Sequence, residues 1–282
     1  MHSALVVGEA LVDVVGGAAL PGGSPLNVAV GLARLGVRTT LHSWFGRDAH
    51  GDLIAAHLAG SGVAVSPGSR GDGPTSVARA EIGPDGSATY AFELAWDPAP
   101  VSVEGVDLVH TGSIGAAMEP GATLVEEALA GTTGLVSFDP NIRPALMGER
   151  AAVVARVERI VARADVVKAS DEDLAWLYPG RSPEDALGAW AAMGPRLVVV
   201  TRGGAGAIAR SAAGSHRVAV PPVAVADTIG AGDSFMAGLL AAVLELGFGE
   251  PQRALEFAAR CAAVTVSRAG ADPPWRDEAG DI

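Results

Sequence analysis

The stretch that decides the fold is Asp227-Thr228-Ile229-Gly230-Ala231-Gly232-Asp233-Ser234-Phe235. Three small residues precede an aspartate, and apolar residues then recur at helical spacing, so a helix is predicted to begin near this aspartate. The backbone N–H groups of Gly230, Ala231 and Gly232 can approach a ligand closely, because no bulky side chain covers them. At a helix N-terminus, unpaired N–H donors and the helix dipole favour an anion. The segment therefore predicts a site for a phosphoryl group.

A carboxylate at such a site needs an explanation, because it repels phosphate. Asp233 is explained if it acts as a general base that takes the proton of an incoming hydroxyl group. The alternative is that Gly230 to Gly232 form only a tight turn and that Asp233 is an ordinary residue of the first helical turn. The length of the whole segment favours the catalytic interpretation.

A second glycine-rich segment lies about two hundred residues earlier, at Gly22-Gly23-Ser24-Pro25-Leu26-Asn27-Val28-Ala29. A glycine pair lets the backbone pack against a ligand, and Asn27 offers a donor and an acceptor to hydroxyl groups. Taken alone, the segment fits equally well a loop followed by an N-capped helix.

Composition excludes several classes of protein. The chain of 282 residues carries a formal net charge of −12 and shows no basic patch, so we expect no nucleic-acid partner. No apolar run reaches the ~20 residues of a membrane span, and the N-terminus lacks the basic region of a signal peptide. Cys261 is the single cysteine, which excludes an internal disulfide and favours a buried thiol in a cytoplasmic protein.

Strand-like and helix-like segments alternate along the chain, which predicts a doubly wound, mostly parallel α/β sheet flanked by helices. Ligands of such sheets bind at the carboxyl ends of the strands. The predicted strands are 5–8, 39–44, 107–110, 135–138, 165–168 and 197–201, and two hairpins are predicted at 75–93 and at 205–209 with 216–220. The predicted helices are 27–35, 50–58, 122–129, 151–161, 171–177, 183–192, 233–246 and 251–267.

The two glycine-rich segments together resemble the two signatures of the PfkB (ribokinase-like) carbohydrate kinase family. Gly22 to Ala29, with Gly36 and Gly46 at the family spacing, resembles the N-terminal signature, and Asp227 to Leu239 resembles the C-terminal one. The resemblance implies ATP-dependent phosphorylation of a sugar hydroxyl, with Asp233 as the base and the Gly230–Gly232 amides as the anion hole. It also implies a ribokinase-like sheet between helices, with a small β-sheet lid over the sugar.

On this resemblance the whole chain, 1–282, is one kinase domain whose lid strands come from about 12–20 and 73–95. The stretch between Asp13 and Gly22 is shorter than in many relatives, so a reduced lid is expected. Family members commonly dimerise through the lid, which makes a homodimer an expectation that depends on these strands.

Three segments resemble the subgroup of fructokinases and 2-keto-3-deoxygluconate kinases. In Gly8 to Asp13, the resemblance gives Asp13 the role of binding sugar hydroxyls, beside Gly22, Gly23 and Asn27 of the signature. Gly46-Arg47-Asp48 resembles a second sugar-side loop. Phe138 to Pro144 resembles the fructokinase D-P-N-x-R segment, in which Arg143 binds a substrate anion or the moving phosphoryl group. A structural ion pair is the alternative role for Arg143.

These resemblances favour fructose as the substrate and fructose 6-phosphate as the product. The alternative is 2-keto-3-deoxygluconate, whose carboxylate would need cations such as Arg143 and Arg79 of the lid. A catalytically silent sugar-binding regulator is disfavoured by the intact Asp233. A Rossmann dehydrogenase is disfavoured because no G-x-G-x-x-G follows the first strand at Gly8.

The nucleotide side is implied by two further segments. Lys168 to Asp173 falls where the family has an N-x-x-E segment that positions hydrated Mg²⁺, and here Ser170 and Asp173 take those places, with Glu172 as a rival. Lys168 is the chain's single lysine. A compact ammonium group serves better than a planar Arg beside the ATP phosphates, and such a position would explain why the chain keeps one lysine. Chance is the alternative.

Two last segments complete the implied site. Thr201 to Gly206 resembles the family's nucleotide loop, with Thr201, Gly203 and Gly206 against ATP. Ser267 to Ala271 resembles the loop that holds K⁺ in some members, together with backbone near Asp227 and Ile229, and Gly270 is its candidate here.

Overall fold

The computed structural model describes residues 2–82 and 88–282, which form fifteen β-strands and ten α-helices. In chain order, the strands are β1 (Ser3–Val7), β2 (Leu11–Val15), β3 (Ala18–Gly22), β4 (Arg38–His42), β5 (Phe45–Gly46), β6 (Ala64–Val65), β7 (Arg70–Gly71), β8 (Val77–Ile82), β9 (Ala88–Glu93), β10 (Leu108–Gly112), β11 (Leu135–Asp139), β12 (Val166–Ser170), β13 (Leu197–Thr201), β14 (Ala207–Ser211) and β15 (Gly214–Val218). The helices are α1 (Ser24–Arg34), α2 (Ala49–Gly60), α3 (Gly121–Gly131), α4 (Pro144–Met147), α5 (Arg150–Val161), α6 (Asp171–Leu177), α7 (Pro183–Ala191), α8 (Ala231–Leu246), α9 (Pro251–Val266) and α10 (Arg276–Ala279).

Nine strands form the main sheet, in the order β15-β14-β13-β12-β11-β10-β1-β4-β6. All neighbours from β6 to β13 pair in parallel. The pairs β13–β14 and β14–β15 are antiparallel. The predicted doubly wound, mostly parallel sheet is therefore confirmed. The predicted strand at 205–209 begins two residues later, because Gly203–Ala205 form a turn of 3₁₀-helix before β14.

Helices cover both faces of this sheet, and each face has its own hydrophobic core. One core contains buried side chains of α1, α2, α8 and α9, and the other contains side chains of α3, α5, α6 and α7. In the first core α1 and α8 pack closely, since a Cβ at Gly31 would lie 2.6 Å from Cβ of Ala237. Cys261 is buried there, as predicted. No helix within the described ranges is both long and apolar enough to cross a membrane.

A second sheet has four strands in the order β3-β2-β8-β9. Strands β2 and β3 form a tight hairpin whose turn residues, Gly16 and Gly17, have φ values of 57° and 86°. Such positive φ angles favour glycine, so the short stretch after Asp13 still makes two full strands. Strands β8 and β9 pair antiparallel, as predicted for 75–93. Residues 83–87, where the turn of the predicted hairpin would fall, lie outside the described residues.

Candidate active site

The carboxylate of Asp233 lies in the first turn of α8 and is buried. Ser24 Oγ donates to its Oδ1 at 2.6 Å, and Asn27 Nδ2 donates to its Oδ2 at 2.8 Å. Both donors lie in the first turn of α1, which begins at Ser24 and not at Asn27 as predicted, since Pro25 suits a first helical turn. Spacing of three residues places the two donors on one helix face. The structure thus brings the two glycine-rich segments together at one carboxylate.

The N-terminus of α8 presents backbone donors. Gly230 precedes the helix in a left-handed conformation with φ 74°, and no side chain caps the helix. A Cβ at Gly230 would lie 2.6 Å from Cβ of Ala271, so both its φ angle and its surroundings require glycine. The Ala231 amide donates to Thr228 O at 3.3 Å. An uncapped N-terminus of a long helix beside a carboxylate is suited to an anion and a base together.

Asp13 on β2 lies against the glycine pair. A Cβ at Gly22 would be 2.2 Å from Oδ2 of Asp13, and one at Gly23 would be 2.7 Å from the carbonyl oxygen of Glu9. The two glycines therefore let the chain pass close to both acidic residues. Burial raises the pKa of Asp13, and the charge of Arg143 opposes this shift.

Arg143 follows β11 and is exposed, and its guanidinium is held locally. Its Nη1 donates to Oδ1 of Asn141 at 2.7 Å and to the carbonyl of Ile142 at 3.1 Å. Asn141 has a positive φ of 36°, which a non-glycine residue adopts rarely. The positive charge of Arg143 acts to lower the pKa of both Asp13 and Glu9. Among the described residues, Arg143 forms no ion pair. The predicted alternative of a structural ion pair therefore has no partner in the described part of the chain.

Glu9 is a buried carboxyl to which no sequence motif assigns a role. Its Oε2 accepts a hydrogen bond of 2.7 Å from the Gly115 amide, and Ser113 donates from its side chain. Burial raises the pKa of Glu9 to about 7, against the opposing effects of these hydrogen bonds and of the Arg143 charge. Ser113, at the end of β10, has a positive φ of 54°. Glu9 thus ties the turn after β10 to the end of β1.

The carboxylate of Asp48, predicted on the sugar side, accepts hydrogen bonds from its own loop and from a later segment. Gly51 donates to it as part of the N-cap of α2, and Thr75 donates from both its amide and its hydroxyl. Desolvation opposes the ionisation of Asp48, but the hydrogen bonds together outweigh it and lower the pKa of Asp48 to about 2. Asp48 therefore links β5 and α2 to the segment before β8 through these hydrogen bonds.

Lys168, in the middle of β12, and Asp139, the last residue of β11, form a buried ion pair. The distance from Lys168 Nζ to Asp139 Oδ2 is 2.6 Å, and the two side chains are 5% and 0% exposed. Burial opposes the charge of Lys168, but the Asp139 carboxylate outweighs it and the pKa of Lys168 is raised. Burial raises the pKa of Asp139 to about 6, with Lys168 opposing. A Cβ at Gly232 would lie 3.1 Å from Lys168 Nζ, so the ammonium group adjoins the predicted anion hole.

Ser170 and Asp173, predicted at the nucleotide phosphates and the metal, form the capping box of α6. The Asp173 carboxylate accepts from the Ser170 amide at 2.8 Å and from the Ile142 amide at 2.7 Å. Each oxygen thus has one backbone donor and keeps a lone pair for a water molecule. Across the described ranges, no group of three or more His, Cys, Asp or Glu side chains is arranged to hold a metal ion.

The remaining predicted residues lie on neighbouring loops. Ser170 and Thr201 are paired in the register of β12 and β13, so both end their strands at the same edge. Gly203 and Gly206, which follow, have φ values of 48° and 80°. Both glycines therefore give the nucleotide loop a backbone path that other residues rarely adopt.

The candidate K⁺ residues are joined by one carboxylate. Asp227 accepts from the Ile229 amide at 3.0 Å and from the Gly270 amide at 2.9 Å. The structure therefore brings together the two loops that the sequence predicted, beside Gly230. Backbone carbonyls of such loops are suitable oxygen donors for a monovalent cation.

Known proteins resemble this chain over most of its length. Residues 3–278 match the family model described as pfkB family carbohydrate kinase. The chain is 34% identical over 261 residues to a fructokinase of Rhizobium leguminosarum bv. trifolii, covering 85% of this chain and 79% of that protein.

Solved structures of other proteins have a similar fold over almost the whole chain. Fructokinase from Vibrio cholerae O395, in its fructose, ADP and calcium ion bound form, has a TM-score of 0.85 at 31% identity, covering 96% of this chain and 94% of that one. A double mutant of that enzyme was solved with fructose, ADP and potassium ion. Aminoimidazole riboside kinase from Salmonella enterica, complexed with aminoimidazole riboside and an ATP analog, has a TM-score of 0.84 at 26% identity, covering 99% and 98%.

Proposed function

The chain belongs to the pfkB family of carbohydrate kinases, and from that premise we propose that it transfers the γ-phosphoryl group of ATP to fructose, giving fructose 6-phosphate. The observation that carries the proposal is the Asp233 carboxylate, oriented by Ser24 and Asn27 at the uncapped N-terminus of α8. Relatives that act on fructose cover most of the chain. The acceptor is the primary hydroxyl at C6.

In the proposed reaction, Asp233 takes the proton of the sugar hydroxyl as its oxygen attacks the γ-phosphorus. The bond from the γ-phosphorus to the bridging oxygen of ATP breaks, and ADP leaves with the electron pair. The backbone N–H groups of Gly230, Gly232 and Asp233 would face the charge that develops on the transferring group, and the Ala231 amide would join them by leaving its 3.3 Å hydrogen bond to Thr228 O. The helix dipole of α8 adds to this stabilisation.

On the sugar side, we assign Asp13 and Asn27 to hydroxyl groups of the ligand, with Gly22 and Gly23 allowing close approach. Asp48 would act indirectly, by fixing its loop through Thr75. The charges favour a neutral sugar over a sugar acid. Arg79, the lid cation that a sugar acid would need, has Glu93 3.6 Å away. Arg143 would then serve the moving phosphoryl group.

On the nucleotide side, the phosphates are assigned to Lys168 and the Ser170 end of β12, and the nucleoside to the loop of Thr201, Gly203 and Gly206. Mg²⁺ would supply neutralisation of the ATP phosphates. Asp173 would hold a hydration water of that ion with the lone pairs that its backbone donors leave free. A K⁺ site at Asp227, Ile229 and Gly270 is part of the same proposal.

A homodimer through the four-stranded sheet stays a prediction, as do the boundaries of a single kinase domain and a cytoplasmic location. Val15 and Leu20, on the hairpin of that sheet, are 42% and 54% exposed, which supports an apolar contact there. Light scattering of the purified protein, beside a variant with both residues changed to Ser, tests the dimer.

A coupled assay of ADP release with a panel of sugars tests the substrate. Fructose, 2-keto-3-deoxygluconate, ribose and aminoimidazole riboside are compared by kcat/KM, and fructose is expected to be preferred by at least about tenfold. A preference for the sugar acid would overturn the fructose assignment. ADP release that no sugar stimulates would overturn the kinase itself.

A further inference from the structure

The Lys168–Asp139 pair is unusual for a buried pair, because it is incompletely satisfied. Asp139 Oδ1 is buried with no hydrogen-bond partner in the described part of the chain. The structure gives Lys168 one hydrogen bond, to Asp139 Oδ2, so two of its three N–H donors have no partner among the described residues. Taking two charges out of water costs more than their attraction returns unless the remaining polar atoms are also satisfied. Stability alone therefore explains the pair poorly.

The position of the Lys168 ammonium group indicates which ligand its unpaired N–H donors could bind. Strands β11 and β12 pair in parallel up to Phe138 and Val167, so Asp139 and Lys168 are the next neighbours at the carboxyl edge. From there Lys168 Nζ reaches the backbone of Gly232, where an added Cβ would lie only 3.1 Å away. Gly232 belongs to the turn that we assign to the transferring group.

We propose that Asp139 is a positioning residue that holds the Lys168 ammonium against Gly232, where the ammonium stabilises the phosphoryl group during transfer. The inference rests on the proposed kinase function. It specifies that Lys168 acts on the group in transfer, and it adds a positioning role for Asp139. A fixed positive charge in a dry site stabilises developing negative charge strongly, because it needs no reorganisation during the reaction. Asp139 fixes the direction of that charge and offsets its desolvation.

This role predicts a specific kinetic signature. Lys168 acts on the group in transfer and not on the sugar, so its loss lowers kcat and leaves the KM for fructose within about twofold. A single Lys168→Met change would leave Asp139 charged, buried and unpaired, which threatens folding. The double variant Asp139→Asn/Lys168→Met removes both charges and avoids that problem.

The experiment compares wild type, Asp139→Asn, the double variant and the control Arg159→Met, which removes a cation from an exposed pair with Glu126. We expect a fall in kcat of on the order of 10²–10³ in the double variant and of about tenfold or more in Asp139→Asn, with the control unchanged. Thermal melting shows whether each variant is folded.

A binding readout separates positioning from a merely structural role. ADP with aluminium fluoride and fructose mimics the group in transfer, and it is expected to raise the melting temperature of wild type beyond the shift given by ADP and fructose. In the double variant, ADP and fructose should still raise the melting temperature. Adding aluminium fluoride should give no further rise. A folded double variant with kcat near wild type, or with the full increment, would overturn the inference alone. Wild type without sugar-dependent ADP release would overturn the proposed function as well.

Discussion

Ser24 Oγ and Asp233 Oδ1 are 2.6 Å apart although the two residues are 209 positions apart in the chain. A hydroxyl donor this close fixes the carboxylate in one rotamer and leaves its other oxygen to Asn27. The contact joins the first turns of α1 and α8, and the close approach of Gly31 and Ala237 further along the same helices supports it. Asp233 is therefore positioned by the N-terminal part of the chain before any substrate arrives.

Replacing the base tests the catalytic assignment directly. Asp233→Asn is expected to lower kcat by on the order of 10²–10⁴, because an amide cannot take the hydroxyl proton. The fold should survive, since the amide oxygen can still accept from Ser24 and the Asn27 amide can turn to present its own oxygen. The coupled ADP assay measures the loss, and thermal melting confirms the fold. Turnover near that of wild type would rule out Asp233 as the base.

Removing the Ser24 hydroxyl while keeping Asp233 should lower kcat less than replacing Asp233 does. Ser24→Ala is expected to lower kcat by about tenfold, because the carboxylate keeps its chemistry and loses one constraint on its orientation. Ser102→Ala, at an exposed serine, is the matched control and should leave kcat unchanged. If Ser24→Ala equals wild type within twofold, the hydrogen bond has no catalytic role.

The turn before α8 should not tolerate a side chain. In Gly230→Ala, the added Cβ meets Ala271 at a φ of 74°, so we expect a loss of about 1–3 kcal/mol of unfolding free energy together with activity. Gly188→Ala is the control, because nothing lies within 4 Å of its Cβ position in α7. It should stabilise the protein by up to about 1 kcal/mol. Equal stability of the two variants would contradict the structure of the turn.

Glu9 should make stability depend on pH. Its pKa, raised to about 7 by burial, means that the neutral carboxyl contributes stability fully below the ordinary value of 4.5, and that this stability is lost as pH rises through 7. Glu9→Gln stays neutral, so relative to wild type it should gain up to about 3 kcal/mol between about pH 5 and about pH 8.

Urea unfolding at the two pH values measures that difference. The exposed Glu104→Gln serves as the control and should behave as wild type at both. A Glu9→Gln variant whose stability relative to wild type is the same at both pH values would show that Glu9 ionises without cost in the folded protein.

The sequence predicted most of the architecture, because strong local patterns specified it. The main strands and the long helices α8 and α9 lie within a few residues of their predicted bounds, and both signature segments meet at Asp233. These predictions needed only periodicity and resemblance. The predicted start of α1 at Asn27 lies three residues too late, because Ser24 and Pro25 have the local pattern of a loop. The spacing of Ser24 and Asn27 is a usable signal for the earlier start.

Other features of the site depend on distances that no local pattern encodes. Asp139 stands beside Lys168 only because of the register between β11 and β12. Glu9 is buried because the turn at Gly115 folds over it, and Asp48 is occupied because Thr75 approaches from a later segment. Each of these contacts joins residues 27 or more positions apart. Their roles had to come from the structure.

The helix pair α1 and α8 also has a consequence for synthesis of the protein. While the ribosome is still extending the chain, the opening strands, the hairpin and α1 have been synthesised and the segment that carries Asp233 has not. Such a nascent chain has sugar-side groups but neither a base nor an anion hole, and it cannot consume ATP. The active site is thus completed in one late step, when the C-terminal helices dock against α1.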